Sequence, residues 1–194
     1  MDLKGTKTER NLLLAYTGES NNRNLYTYFA DRAQEEGFEQ IAAIFRETAE
    51  HEREHAAQEL RFIQTRDIEL PAIVYPVKGV GATLSNLETA VSGEHYEQVT
   101  MYPGFANSAD EEGFSEIARM FRYIATVEAY HEKRFIALLN RVKDGSVFRR
   151  TMVVNWKCRL CGYRREDREA PQCCPICGRS RAFFELPAEN DWDI

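Results

Sequence analysis

The order of apolar and polar residues over the first three quarters of the chain predicts long amphipathic helices. In residues 38–65 the apolar side chains Ile41, Ile44, Phe45 and Ala49 recur at three- and four-residue intervals, the spacing of one helix face. Four helices are predicted in all: from near Thr6 to Gly37, from Phe38 to about Thr65, from just after Ser85 to Gly113, and from Phe114 to Lys143.

The residues between these segments predict how the helices are connected. Thr6-x-x-Glu9 has the form of a capping box, and Gly37 and Gly113 favour the left-handed turn that ends a helix. Short turns therefore join the first helix to the second and the third to the fourth. The segment 67–81, with two prolines and two glycines, predicts a single long crossover between the two hairpins.

The second hairpin repeats the first in register. Copy one contains Tyr26-x-x-Phe29, Ala33, Glu35-Glu36-Gly37-Phe38, Ile41-Ala42 and Phe45-Arg46, and copy two contains Tyr102-x-x-Phe105, Ala109, Glu111-Glu112-Gly113-Phe114, Ile117-Ala118 and Phe121-Arg122. A duplicated helical hairpin with one long crossover predicts an all-α, ferritin-like four-helix bundle.

Each copy also supplies one glutamate and then a Glu-x-x-His pair on the next helix. The residues are Glu19, Glu52 and His55 in copy one, and Glu94, Glu128 and His131 in copy two. The i, i+3 spacing places both donors of a pair on one helix face. A single Glu-x-x-His is usually a solvated, charged surface, but the duplicated set is the ligand pattern of a two-metal carboxylate site in a bundle.

Charge supports the metal interpretation. A buried charge without a partner costs several kcal/mol or more. Five glutamates are expected to point inward, namely Glu19, Glu52, Glu94, Glu97 and Glu128, and their charge of about −5 approaches neutrality with two divalent or two trivalent ions. Mixed carboxylate and imidazole ligands favour iron or manganese over a structural zinc.

The two copies differ at one place, between the first glutamate and the tyrosine. Glu19 and Tyr26 are seven residues apart, whereas Glu94 and Tyr102 are eight apart, and Glu97 lies inside that interval. A single inserted residue is typical of a π-bulge, which predicts that Glu97 turns into the cavity as an additional ligand. The alternative is a structural irregularity with Glu97 in solvent. Both tyrosines are expected either to donate hydrogen bonds to ligating carboxylates or to pack in the core.

All five cysteines follow residue 157. Cys158-x-x-Cys161 and Cys174-x-x-Cys177 are two metal-binding knuckles, and four thiolates make a closed tetrahedral site for iron or zinc. Gly162 and Gly178 follow the second cysteine of each pair, which favours amide hydrogen bonds to sulfur. Cys173 breaks the spacing and is expected to be a free thiol.

Length and charge limit the remaining possibilities. The 194 residues suit a bundle of residues 1–146 and a small metal-stapled domain of residues 147–194. The net charge is −6, and residues 151–194 hold seven basic and seven acidic side chains, which argues against a nucleic-acid partner. No apolar run approaches a membrane span of roughly 18 residues. Paired cysteines without a signal peptide predict a cytoplasmic protein.

The order of these motifs over nearly the whole chain resembles the rubrerythrin family. The residues that carry the resemblance are Gly18-Glu19-Ser20, Glu52-Arg53-Glu54-His55, Gly93-Glu94-His95-Tyr96-Glu97, Met101-Tyr102-Pro103, Glu128-x-x-His131-Glu132-Lys133-Arg134-Phe135, Trp156-x-Cys158-x-x-Cys161-Gly162-Tyr163 and Cys174-Pro175-x-Cys177. The resemblance implies a non-haem di-iron site in the bundle and a rubredoxin-like β domain with one iron on four cysteines.

The resemblance also implies an activity. The diferrous pair would reduce hydrogen peroxide to water in oxidative-stress defence, with electrons from NADH or NADPH passed by a separate reductase, or by a rubredoxin, through the tail iron. Glu52 and Glu128 would bridge the irons, with Glu19, Glu94 and His131 as terminal ligands. One iron would exchange His55, when reduced, for Glu97, when oxidised. The family implies a homodimer in which one subunit's tail approaches the other's bundle.

Two other functions compete with the peroxidase. A ferritin-like ferroxidase or iron-handling protein would use the same bundle, but storage does not need a fused electron-transfer domain. A regulatory protein with a structural zinc ribbon would use the same cysteine spacing, but the inward glutamates and the balanced charge of the tail argue against it.

Overall fold

The computed structural model describes residues 2–64, 67–68 and 79–187. The helices are α1 (Lys7–Glu35), α2 (Glu39–Leu60), α3 (Thr83–Tyr96), α4 (Tyr102–Glu111) and α5 (Ser115–Lys143). Five π-helical residues, Glu97–Met101, join α3 to α4 without a break. Because α3, the π turn and α4 form one continuous rod, the predicted four-helix bundle is confirmed.

The ends of the second and third helices differ from the prediction. Helix α2 ends at Leu60, not near Thr65, because its last turn tightens: the amides of Phe62 and Ile63 bond three residues back and both side chains turn onto the core. Helix α3 begins at Thr83, slightly before the predicted start. Most of the predicted crossover, residues 69–78, lies outside the described residues.

Contacts at the helix ends set the directions of the rods. At one end Thr8 of α1 donates to the Glu112 carboxylate just beyond α4, and at the other end the Thr83 amide donates to Glu36 just beyond α1. Helix α1 therefore runs antiparallel to the α3–α4 rod. The predicted cap at Thr6 is present, since its hydroxyl accepts from the Glu9 amide at 3.1 Å. The Glu9 carboxylate reaches the Gly5 amide instead of completing the box.

Two apolar clusters fill the bundle and leave a polar layer between them. One is built around Phe29, Phe45 and Phe135, and the other around Leu12 and Phe121. On α1, α2 and α5 the glutamates of the Glu…Glu-x-x-His pattern lie between segments belonging to the two clusters. The apolar clusters therefore hold the carboxylates away from water on both sides.

The C-terminal part is a small antiparallel sheet in the order β2-β1-β3. The strands are β1 (Arg149–Cys158), β2 (Arg164–Glu169) and β3 (Phe184–Glu185). Trp156 and Phe184 form its core with two of the cysteines. The sheet touches the bundle where the Phe148 ring stacks on Phe38, with centroids 6.2 Å apart. The domain limits, 1–146 and 147–194, stay a prediction. Within the described ranges, no helix combines the length and apolarity that crossing a membrane requires.

Candidate metal centres

Seven predicted side chains meet in the polar layer of the bundle. They are Glu19 from α1, Glu52 and His55 from α2, Glu94 from α3, Glu97 from the π turn, and Glu128 and His131 from α5. All seven are buried, and the most accessible, His55, is 9% exposed. Burial of so many ionisable groups in one layer is costly unless they share a cation.

Six of the seven form two overlapping groups of potential ligands. One group is Glu19, Glu52, His55 and Glu128, and the other is Glu52, Glu94, Glu128 and His131; within each, the ligand atoms lie within 4.8 Å of one another. Glu52 and Glu128 belong to both groups. The arrangement suits two metal ions bridged by two carboxylates, and we call its halves the His55 side (Glu19, His55) and the His131 side (Glu94, His131).

The unpaired polar atoms of the layer test whether metal ions fit. The buried atoms without a hydrogen-bond partner include Glu19 Oε2, both oxygens of Glu52, Glu94 Oε2, Glu128 Oε1 and His55 Nδ1. His55 Nδ1 lies 2.9 Å from Glu128 Oε1 and 3.1 Å from Glu52 Oε2. Atoms that come this close without hydrogen-bond geometry converge on a common point, as the donors of one cation do. The donor set therefore fits two metals.

The electrostatics of the layer also call for added positive charge. Burial, reinforced by neighbouring carboxylates, raises the pKa of Glu19 and Glu94 well above the ordinary value. Burial acts against charged His131 too, yet the carboxylates of Glu128, Glu52 and Glu94, which lie 2.8–3.4 Å from its Nδ1, raise its pKa to about 12. For Glu52 the two imidazoles outweigh burial and lower the pKa to about 2. Without metals the histidines supply the positive charge; bound metals would take over that role and leave the imidazoles neutral.

The two tyrosines bridge the copies. Tyr26 donates to Glu94 Oε1 at 2.5 Å, and Tyr102 donates to Glu19 Oε1. Each tyrosine therefore bonds the glutamate of the other copy, and each also packs in an apolar cluster. Both predicted roles apply, and the carboxylates keep their other oxygen for a metal.

The inserted residue appears as the predicted π turn, and Glu97 lies at its first position. Glu97 is only 7% exposed, so the alternative that places it in solvent is wrong. Burial raises the pKa of Glu97, and its Oε1 accepts a hydrogen bond of 2.9 Å from Asn22, the corresponding residue of copy one. Glu97 belongs to neither four-ligand group. It is a buried carboxylate held beside the site.

Sequence reasoning missed two residues around the site, His51 and Glu59. His51 Nδ1 lies 3.0 Å from His131 Nε2, the nitrogen that faces away from the carboxylates. Glu59 is fully buried and lies 2.9 Å from the Tyr102 hydroxyl. Both could have been found by comparing the two copies. Glu52 and Glu128 are 76 residues apart, and at the same separation His51 corresponds to Val127 and Glu59 to Phe135, so both ionisable residues are unmatched in copy two.

The four predicted cysteines come together at the end of the sheet. Cys158, Cys161, Cys174 and Cys177 form the third group of potential ligands, with Sγ atoms of Cys161 and Cys174 3.5 Å apart. Gly162 and Gly178 adopt φ of 77° and 71°. These left-handed turns let the next amides, of Tyr163 and Arg179, bond the sulfurs of Cys161 and Cys177. Cys173 lies outside this group.

Comparisons with known proteins agree with this architecture. The sequence model of the rubrerythrin family matches residues 10–139, and that of the rubrerythrin rubredoxin-like domain matches residues 156–185. The chain is 50% identical over 188 residues to a rubrerythrin of Porphyromonas gingivalis, covering 97% of this chain and 94% of that protein.

Solved structures give the same picture. The fully reduced, all-ferrous state of nigerythrin is 31% identical, covers 95% of this chain and 91% of that chain, and superposes with a TM-score of 0.63. A bacterioferritin of Mycobacterium tuberculosis, 19% identical, covers 74% of this chain and 90% of that chain with a TM-score of 0.64. At that identity the second likeness concerns the ferritin-like fold alone.

Proposed function

Because the chain belongs to the rubrerythrin family, we propose that it is a peroxidase that reduces hydrogen peroxide to water at the bundle site. The family consists of iron-binding oxidoreductases, and the ligand groups for two irons in the bundle and one iron on four cysteines are present here. When bound, two ferrous ions supply the two electrons that peroxide needs and act as Lewis acids toward its oxygens.

In this proposal each ligand has a distinct role. Glu52 and Glu128 would each hold both metals, since both belong to both ligand groups. Glu19 and Glu94 would each hold one metal through a single oxygen, since the other oxygen accepts from a tyrosine. His131 would hold the metal of the His131 side in both oxidation states.

The asymmetry around Glu97 carries the proposal. Four carboxylates already serve the two metal positions. A site that only held two metals would not need a fifth buried glutamate, because burying a carboxylate is costly. We propose that Glu97 replaces His55 as a ligand when the site is oxidised, because a carboxylate suits a ferric ion better than a neutral imidazole does. Asn22 holds Glu97 in reserve at 2.9 Å.

The electrons are proposed to arrive through the cysteine site. An NADH- or NADPH-dependent reductase, or a rubredoxin, would reduce it. A homodimer that brings one subunit's tail to the other's bundle would shorten the path. The amide bonds to sulfur support a redox role, since such bonds tune the reduction potential of an iron centre. A cytoplasmic location stays a prediction.

A single-turnover experiment tests the proposal. Iron-loaded protein is reduced without oxygen, mixed with peroxide, and followed by its visible absorption; peroxide-dependent oxidation is expected, with turnover once a reductase and NADH are added. Absence of any peroxide-dependent oxidation overturns the peroxidase. A Glu97→Ala variant that retains full turnover overturns the ligand exchange alone. Glu54→Ala, an exposed position of the same bundle, is the matched control.

The two ligand groups of the bundle also suit one second candidate, a ferroxidase that handles iron. It predicts that added Fe(II) is oxidised by oxygen and retained as mineral. Mineral without peroxide turnover would favour this candidate over the peroxidase.

A further inference from the structure

Glu59 is a further buried glutamate of the bundle, and none of the proposed ligand roles uses it. It lies in the last turn of α2 and is completely buried. Its Oε1 is 2.9 Å from the Tyr102 hydroxyl, and its Oε2 has no hydrogen-bond partner. A buried carboxylate with so few partners is costly as an anion and much less so as a neutral acid.

The number of protons available to Glu19 Oε1, the Tyr102 hydroxyl and Glu59 Oε1 indicates that Glu59 is a neutral acid. The Tyr102 hydroxyl lies within hydrogen-bond distance of both Glu19 Oε1 and Glu59 Oε1, but it carries one proton. It can donate to one carboxyl group and must accept a proton from the other. Glu19 is an anionic ligand in the proposed site, so the extra proton belongs on Glu59. Burial raises the pKa of Glu59 to about 8, in agreement with this count.

The corresponding tyrosine on the His131 side, Tyr26, has no such acid beside it. Tyr26 donates to Glu94, and the ring packed against Tyr26 at the position equivalent to Glu59 is Phe135, with centroids 5.5 Å apart. A phenyl ring has no proton to pass on. The difference between Glu59 and Phe135 therefore gives a proton source to the Glu19 end of the site.

We propose that Glu59 is the internal proton donor of the peroxidase reaction, acting on Glu19 through Tyr102; the inference rests on the proposed function. The Glu59 proton moves to Tyr102 as the Tyr102 proton moves to Glu19 Oε1, so the phenol is unchanged. Glu19 then protonates a hydroxide released from peroxide, which becomes water. Reduction of one peroxide to two waters consumes two electrons and two protons. The electrons would come from the reduced site. Glu59 supplies one proton and solvent supplies the other. Solvent later reprotonates Glu59.

Infrared spectroscopy tests the protonation state without any turnover. In protein loaded with zinc, which is not redox-active, the wild type minus Glu59→Gln difference spectrum is expected to show the carbonyl stretch of a neutral carboxylic acid, shifted in heavy water. A difference spectrum without a carboxylic-acid band, showing instead the loss of carboxylate bands, would overturn the proposal. Glu59→Leu, which replaces the buried acid by an apolar side chain of similar size, is a second variant and should lose the same band.

The rate of peroxide-driven oxidation of reduced protein tests the transfer. Glu59→Gln keeps a hydrogen-bond donor to Tyr102 but no transferable proton, and should slow this step by at least about 10-fold, within the range of general acid catalysis. Glu54→Gln, the same change at an exposed position of α2, should leave the rate unchanged. Loss of the band with an unchanged rate would mean that Glu59 is a structural acid, which overturns the relay. A wild type that does not react with peroxide would instead overturn the proposed function.

Discussion

The His55 side and the His131 side are built from the same repeated hairpin but have different surroundings. The outer nitrogen of His131 is held by His51, and Phe135 covers the tyrosine of that side. At the equivalent positions the His55 side has Val127 and Glu59. Duplication therefore places two like metal positions in one layer, and substitutions around them can make one position rigid and leave the other able to exchange ligands and protons.

Removal of the metals should have the largest effect, because it abolishes both sides together. In metal-free protein the pKa values of Glu19, Glu94 and Glu97 are raised, and that of His131 is raised to about 12, so the folded state binds more protons than the unfolded state. This stabilisation is complete below the ordinary pKa values and is lost as the pH rises through the folded-state values.

We therefore expect the Tm at which the helices of the metal-free protein unfold to fall as the pH rises from about 5 to about 8. The fall should be roughly 2–4 °C for each kcal/mol of unfolding free energy that is lost. Glu52, with its pKa lowered to about 2, contributes the opposite dependence only at lower pH. Circular dichroism at helix wavelengths measures the transition. Metal-loaded protein is the control and should be more stable and less dependent on pH; a metal-free Tm that rises over this range would contradict the prediction.

The second-largest effect is expected from substituting the ligands, and it should differ between a glutamate shared by both ligand groups and a glutamate of one side. Glu52→Ala removes a carboxylate common to both groups and should abolish binding of both bundle metals, whereas Glu19→Ala should weaken mainly the His55 side. Metal content per chain, measured after exchange into metal-free buffer, checks both. Exposed Glu54→Ala should retain the wild-type content. Equal losses in the Glu52 and Glu19 variants would show that the two sides are not independent.

A smaller effect is expected when His51 is replaced by valine, the residue at the equivalent position of the second copy. His51→Val removes the partner of His131 Nε2, which fixes the ring so that Nδ1 faces the carboxylates. Loss of such a partner typically costs 10–100-fold in metal affinity, and we expect about that on the His131 side. Chelator competition measures it, with Val127→Ala as the control at the equivalent position. Unchanged affinity would mean that His51 does not hold the ligand.

The smallest effect concerns the tyrosines. Tyr26→Phe removes one hydrogen bond to Glu94 and should lower metal affinity on the His131 side by about 10-fold, at the low end for an outer-shell partner. Tyr102→Phe removes a bond to Glu19 and also the contact with Glu59, so it should slow peroxide-driven oxidation more than Tyr26→Phe does. The same assays measure both, and an equal effect on the oxidation rate would contradict the proposed relay.

Much of the fold was predictable because repeated patterns have simple physical meanings. Gly37 and Gly113 end helices as predicted, and the eight-residue interval between Glu94 and Tyr102 became the π turn. The end of α2 was predicted too far along the chain, since Phe62 and Ile63 are apolar whether they continue a helix or fold back onto the core. Periodicity alone does not distinguish these cases.

The spacing of the glutamates, histidines and cysteines was enough to predict a two-metal bundle and a four-cysteine site, because ligand spacing on a helix or a knuckle is a local property of the chain. The roles of His51 and Glu59 depend on which side chains meet across helices. His51 of α2 reaches His131 of α5, and Glu59 of α2 reaches Tyr102 of α4. Those contacts are set by the packing of distant segments, which spacing along a single helix does not encode.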